Sequence, residues 1–342
     1  MCGNIPHSST KRPHDRGPQR GTLRPPTVER VIDASDIAAA HRRIVSYVRR
    51  TPLLAPGAGS FGLSPNIELT LKLELFQHTG SFKSRGAFNC VLAQRTRPTL
   101  LAAASGGNHG QAVAFVGRVL QLPATIFVPT VSSPLKQARI AAYGATLNVG
   151  GALFDDAQEA CSTWAASSGA FQVHPFDDEA VIAGQGTVAL ELAEQLPNVD
   201  TVLVATGGGG LIAGIAAFFG DSGRVRVVSV EPEGSNCLAA ALHAGHPTPV
   251  AITSIAADSL GAKQVGARPF AIAQAYVHTA VLVGDDAIVA AQHALWEETR
   301  IAAEPGGATA LAGLMSGAYR PEPGERVAVL VCGGNVDPAT LR

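Results

Sequence analysis

Lysine is scarce in this 342-residue chain: five occur, at positions 11, 72, 83, 136 and 263, against 21 arginines. A sequence that otherwise takes arginine for positive charge has a chemical reason to keep an amine, because amines form Schiff bases and guanidinium groups do not. Lys83 stands in Thr79-Gly80-Ser81-Phe82-Lys83-Ser84-Arg85-Gly86-Ala87. Taken alone, this run reads more readily as a solvated lysine at the start of a helix, so its weight depends on what accompanies it.

Three further motifs do. Ser105-Gly106-Gly107-Asn108-His109-Gly110-Gln111 follows the apolar run Leu100–Ala104 and precedes the helix-like Ala112–Leu120. A glycine-rich turn entering a helix exposes several backbone N–H groups beside the positive end of the dipole, a seat for a carboxylate or phosphate. Asn108 adds a side chain that donates and accepts, while His109 reads as a structural histidine rather than a base. Thr206-Gly207-Gly208-Gly209-Gly210-Leu211 sits likewise between Thr201–Ala205 and Leu211–Phe219. Four glycines remove every Cβ from the turn and let the backbone wrap a phosphate. The same residues match a dinucleotide fingerprint, Gly208-x-Gly210-x-x-Ala213, with Glu231 about 20 residues on. That reading leaves a complete α/β region ahead of the turn and gives the other motifs no role. Last, Val331-Cys332-Gly333-Gly334-Asn335 closes the final apolar run, preceded by Glu304-Pro305-Gly306-Gly307-Ala308. A thiol at a strand end serves as nucleophile, packing residue or neutral hydrogen-bond partner. No obvious His and Asp partners accompany it, so a protease-like role is poorly supported.

The elements that must position these motifs alternate. Strands are expected over Ile67–Leu75, Leu100–Ala104, Thr125–Val128, Thr146–Val149, Thr201–Ala205, Arg226–Val230 and Val327–Cys332, with Ala-rich helical stretches between them. The pattern predicts an α/β fold of open parallel sheets covered by helices, with ligands at the carboxyl ends of strands. A helix capped near Ser35 or Asp36 is expected to bury Ile37, Ala40, Ile44 and Val48. A small α/β domain over 98–177 is expected to be inserted into a large domain formed by 29–97 and 178–342. Residues 1–28 carry five basic residues against one acid and almost no aliphatic ones, and read as a disordered tail.

Composition narrows the function classes. Lys+Arg at 26 against Asp+Glu at 27 leaves a net charge of -1, which offers a nucleic-acid backbone no basic field. Five scattered cysteines, none in a C-x-x-C pair, predict neither a disulfide framework nor a zinc site and fit a reducing cytoplasm. No apolar run approaches the roughly 20 residues of a membrane span.

In family order and at family-like spacing, Ser-Phe-Lys, Ser-Gly-Gly-Asn-His-Gly, the tetraglycine turn and Cys-Gly-Gly-Asn resemble the serine/threonine dehydratase family. These are pyridoxal-phosphate enzymes of the tryptophan-synthase-β fold (fold type II), a group that includes serine racemases. The resemblance runs from about Val31 to the C-terminus. It implies two open parallel-rich sheets with helices on both faces and an active site in the cleft between domains. It implies pyridoxal 5'-phosphate held by the amine of Lys83, with Phe82 beside the pyridine ring and Asn108 on the ring hydroxyl. Gly207, Gly208, Gly209, Gly210 and Leu211 would cradle the phosphate, and Cys332 would face the ring nitrogen. Ser105, Gly106, Gly107, Asn108 and His109 would take the substrate carboxylate. A thiol does not hold the ring nitrogen protonated, which weakens the electron sink and favours expelling a β-hydroxyl over a long-lived carbanion.

The implied reaction is dehydration and deamination of a 3-hydroxy amino acid, L-threonine or L-serine first, with hydroxyaspartate and phenylserine as alternatives. Racemisation is disfavoured because Gly106 stands where serine racemases typically carry a serine. The resemblance argues against a metal, since Glu231-Pro232 is present but Cys237 replaces the downstream aspartate that other members use; weak binding by Glu231 with backbone carbonyls is the alternative. The branch also implies a homodimer, and the short stretch after Asn335 leads us to expect no isoleucine-feedback domain. Substrate side-chain preference is expected to lie near Ala257–Ala262. A non-catalytic homologue binding only the cofactor or an amino acid is the alternative from another class; it would be expected to lose some of Lys83, Asn108, the tetraglycine turn and Cys332, and all are present.

Overall fold

Parallel strands covered by helices on both faces are written as nearly unbroken apolar runs, and Thr201–Ala205 is such a run, buried at every residue. A computed structural model describes residues 1–3, 32–220 and 222–341, so the tail expected over 1–28 lies, beyond its first three residues, outside the described residues. Two sheets organise the rest. The first joins β1 (Leu53–Leu54), β2 (Glu68–Lys72), β7 (Thr201–Ala205), β8 (Arg226–Pro232), β9 (Thr279–Val283) and β10 (Arg326–Leu330) in the order β1-β2-β10-β7-β8-β9. All its pairings are parallel except the antiparallel β1–β2 edge. The second joins β3 (Leu101–Ala104), β4 (Ala124–Val128), β5 (Thr146–Val149) and β6 (Phe171–Gln172), all parallel, in the order β5-β4-β3-β6. Both sheets belong to one compact unit that begins at Ile32.

The helices between the strands are α1 (Ala34–Ile44), α2 (Lys83–Leu92), α3 (Asn108–Leu120), α4 (Pro134–Ala141), α5 (Phe154–Ser168) and α6 (Glu179–Gln195). They continue with α7 (Gly210–Gly220), α8 (Cys237–Ala244), α9 (Ala257–Leu260), α10 (Ala267–Tyr276), α11 (Asp285–Thr299) and α12 (Pro305–Met315). No helix among the described residues is long and apolar enough to cross a membrane.

The α/β reading is borne out, with local corrections. The cap of α1 is Asp33, earlier than Ser35 or Asp36: its carboxylate accepts from the amides of Ser35 and Asp36, and Asp36 reaches back in a capping box. Ile37, Ala40 and Ile44 are buried on α1, but the helix ends at Ile44 and leaves Val48 outside it. The strand expected over Ile67–Leu75 stops at Lys72, because the chain then turns to bring the carboxylate of Glu74 inward to Arg85. Strands β1 and β6 are too short for periodicity to reveal, and β9 is a half-buried edge.

Beneath α2 lies a buried ionic network. Arg85 grips Glu74 through Nε and Nη2, both at 2.8 Å, and Glu191 of α6 through Nη1 at 2.7 Å and Nη2 at 2.9 Å. Lys72 of β2 completes it with Glu191 (2.9 Å), Gln195 and the carbonyl of Thr51. Buried charges persist only when paired and hydrogen-bonded. Every charge here is paired, which fixes α2 against β2 and α6 within a turn of Lys83.

Candidate active site

Lys83 opens α2, with Phe82 at the cap position. The run before it is stitched to the end of β10: Ser81 pairs with Gly333, the amide of Phe82 donates to the carbonyl of Cys332 (3.3 Å), and that of Gly334 to Gly80 (2.9 Å). Such close passage needs glycine. A Cβ on Gly333 would lie 2.0 Å from Oε1 of Glu304, and one on Gly80, where φ is +74°, 2.7 Å from Oδ1 of Asn335. The Lys83 amine donates to the carbonyl of Pro175 (2.9 Å) and sits 5.2 Å from the centre of the Phe82 ring. Among the described residues it has no carboxylate partner within ion-pair distance. Burial pulls its pKa down to about 8, against the opposing pull of Cys332 and Glu304, so near-neutral pH leaves a useful fraction of free amine.

The tetraglycine turn lies between β7 and α7, on the other side of Phe176. A Cβ on Gly208 would stand 2.3 Å from the Phe176 ring, one on Gly210 2.9 Å from the Phe176 backbone, and one on Gly207 2.9 Å from Cα of Leu260; Gly209 has φ of +91°. Among the described residues, the amides of Gly207, Gly208 and Gly209 donate to no backbone carbonyl. They stand at the N-terminal end of α7, where a dipole and free N–H groups favour an anion. Leu211 is buried within the first turn of α7. Pro175 and Phe176, which the sequence reading did not single out, thus join the lysine to the turn. The available signal was the His174-Pro175-Phe176-Asp177 run between β6 and α6.

The Asn108 loop arrives from the other sheet, at the carboxyl end of β3. The amide of Gly107 donates to Oγ of Ser105 (3.1 Å), which tightens the turn into α3. Asn108 donates from Nδ2 to Oε1 of Glu304 (2.5 Å) and accepts at Oδ1 from Nδ2 of Asn335 (2.7 Å), so its side chain meets α12 and the end of β10. His109 does what a structural histidine does: Nε2 bonds the carbonyl of Val173 at 2.9 Å, and burial pushes its pKa down to about 3. A Cβ on Gly106 would lie 1.8 Å from Oγ of Ser132, so the loop is closed to a side chain there. The stretch over 257–262 leans on it, with the carbonyl of Asp258 3.3 Å from a Cβ on Gly107. Lys136 of α4 pairs with Asp258, and Lys263 with Asp155 of α5 (2.5 Å), tying this stretch to the helices of the four-stranded sheet.

Cys332 is buried, its thiol pointing to the carbonyl of Gly306 (3.4 Å), and burial pushes its pKa up to about 12. It is a neutral thiol at physiological pH. Glu231, the acid of the dinucleotide reading, is turned away from the glycine turn: its carboxylate accepts from the amides of Leu238 (2.8 Å) and Ala239 (2.7 Å) at the start of α8. Cys237 donates to the carbonyl of Gly207 (3.2 Å), and no group of three or more His, Cys, Asp or Glu able to hold a metal exists among the described residues.

The four motifs therefore converge where the strand ends of two sheets meet. The sequence model of pyridoxal-phosphate dependent enzymes matches residues 44–333. The chain belongs to this family of pyridoxal-phosphate dependent enzymes. It is 37% identical over 312 residues to an L-threonine ammonia-lyase of Thermotoga maritima, covering 90% of this chain and 76% of that protein. Among solved structures it is similar to maize serine racemase, with TM-score 0.84 and 32% identity over 91% of this chain and 96% of that one. It is also similar to the processed form of threonine deaminase isoform 2 from Solanum lycopersicum, with TM-score 0.83 and 32% identity over 90% of this chain and 85% of that one. The fold is fold type II, as the motifs implied.

The residues fit the family's cofactor. A phosphorylated pyridine aldehyde needs an amine to bind covalently, a cationic or N–H-rich seat for a phosphate, and a neutral or anionic partner for its ring nitrogen. A half-buried amine with no carboxylate partner among the described residues, a turn of free amides that no side chain other than hydrogen can line, and an un-ionised thiol meet those needs.

Proposed function

We propose that this enzyme removes water and then ammonia from a 3-hydroxy amino acid, with L-threonine and L-serine the leading substrates. The observation that carries the reading is the Lys83 amine, held without a carboxylate partner where the Asn108 loop, the tetraglycine turn and Cys332 converge. When bound, pyridoxal phosphate supplies a conjugated electron sink for the bond broken at the substrate's Cα.

In this reading Lys83 holds the cofactor, Phe82 and Asn108 orient its ring, and the amides of Gly207 to Leu211 hold its phosphate. The amides of Ser105 to His109 take the substrate carboxylate. Displaced by the substrate amine, Lys83 Nζ takes the Cα proton, a role suited to an amine whose pKa lies at about 8. That proton and the β-hydroxyl leave as water, and hydrolysis of the released enamine gives a 2-oxo acid and ammonia. Cys332 enters as the neutral thiol, so elimination is favoured over processes that need a strong electron sink. Gly106, packed on Ser132, has no side chain to serve as a second acid or base, which speaks against racemisation. A homodimer in the cytoplasm, with 98–177 as a small domain, belongs to the same reading; five unpaired cysteines suit a reducing compartment.

The test is 2-oxo acid release by the protein supplied with pyridoxal phosphate, across L-threonine, L-serine, D-serine, hydroxyaspartate and phenylserine. Release from L-threonine or L-serine supports the proposal. Release from hydroxyaspartate or phenylserine alone keeps the elimination and replaces the substrate, and silence across the panel from a yellow protein favours a binding role.

A further inference from the structure

Glu304 stands at the N-cap position of α12 without capping it by its side chain, is 5% exposed, and has no part in the mechanism above. Its setting is directional. The carbonyl of Thr79, which can only accept, takes Nδ2 of Asn335 at 2.8 Å; the same Nδ2 donates to Oδ1 of Asn108 at 2.7 Å; and Nδ2 of Asn108 donates to Oε1 of Glu304 at 2.5 Å. A carboxamide has two N–H donors and two oxygen lone pairs. Flipping Asn108 would set its Nδ2 against that of Asn335, donor to donor. We propose that Glu304 is a positioning residue for the reaction: it takes one N–H of Asn108 and, with Asn335, fixes the amide so that the second N–H is the donor left for the cofactor.

This rests on the reading of Asn108 as the partner of the ring oxygen. A fixed N–H favours that oxygen in its ionised, accepting form. Burial raises the carboxyl of Glu304 above its ordinary range, against the hydrogen bond from Asn108. Lys136 and Arg139 of α4, Asp258 of α9 and the Lys83 amine are the charged groups within electrostatic reach of it. Glycine at 333 is what admits it, since a Cβ there would lie 2.0 Å from its Oε1.

The experiment compares Glu304→Gln, Glu304→Ala and Asn108→Ala by the visible absorbance of bound pyridoxal phosphate and by its Kd, with circular dichroism to confirm folding. Glutamine keeps a carbonyl acceptor for the Asn108 N–H at the same place, so its spectrum and Kd should match wild type. Alanine should shift the absorbance maximum and weaken the Kd by about tenfold, the worth of one buried hydrogen bond. Folded Glu304→Ala that binds and absorbs like wild type, or folded Glu304→Gln as impaired as alanine, overturns the proposal. If Asn108→Ala shifts the spectrum and Glu304→Ala does not, only the role of Glu304 falls. An unchanged Asn108→Ala removes the Asn108 reading and this proposal with it.

Discussion

Replacing Gly208 by alanine adds one methyl group to the phosphate turn, and the structure sets the cost. The new Cβ would stand 2.3 Å from the Phe176 ring where ordinary contact begins at 3.4 Å, so ring or turn must retreat by 3.4 − 2.3 = 1.1 Å. Phe176 is poorly placed to give way: its amide and that of Asp177 donate to Nδ1 of His174 at 3.2 and 2.8 Å, and the carbonyl before it holds the Lys83 amine. The glycine turn, whose amides at 207–209 are held by no backbone carbonyl, moves instead and misaligns those amides. Overpacking of this kind costs about 1–3 kcal/mol. About 2 kcal/mol corresponds to a Kd for pyridoxal phosphate roughly 30-fold weaker. Titrating the cofactor-free protein and following visible absorbance measures it, and Phe176→Leu in the same background should restore much of the loss because it removes the ring edge. Gly208→Ala that binds within threefold of wild type, or a loss that Phe176→Leu leaves untouched, would refute the reasoning.

Three other perturbations follow from the same geometry. Arg85→Leu strands Glu74 and Glu191 with Lys72 as their remaining cation and should destabilise the fold by about 3–5 kcal/mol in denaturant unfolding; a loss under 1 kcal/mol would mean the network is not what holds α2. Burial lowers the pKa of Lys83 from 10.5 to about 8, so the charged form, which cannot capture an aldehyde, prevails below that pH. The rate of pyridoxal phosphate capture by the cofactor-free protein should rise as pH rises through about 8 and then level off, and a rate flat between pH 6.5 and 9 would contradict it. Gly106→Ser, whose Cβ meets Oγ of Ser132 at 1.8 Å, should lower thermal stability and confer no interconversion of L- and D-serine by chiral chromatography; efficient racemisation would show that the loop has more room than its packing indicates.

What the sequence made legible was decided by short-range physics. Glycine turns between an apolar strand and a helix declare their place in the chain, so the turns at 105–109 and 207–211 are readable from the sequence alone. The scarcity of lysine directs attention to Lys83. Convergence is another matter. That Asn108 meets Glu304, 196 positions away, or that the carbonyl of Pro175 receives the Lys83 amine, depends on how two sheets are juxtaposed, and no local pattern carries it. The Arg85 network was hidden for the same reason: Glu74 and Lys72 look like surface residues of an amphipathic strand until α6 supplies Glu191. Glu231 shows the converse hazard, since the right residue at the right spacing for a ribose instead caps α8.

The central claim is that one amine both holds the cofactor and moves the Cα proton, and Lys83→Ala tests it most directly. Wild type and variant, each incubated with pyridoxal phosphate and freed of excess, are compared for visible absorbance and for 2-oxo acid release from L-threonine and L-serine. The account predicts a colourless variant with no measurable turnover beside a yellow, active wild type. A variant that keeps wild-type colour or turnover would contradict it.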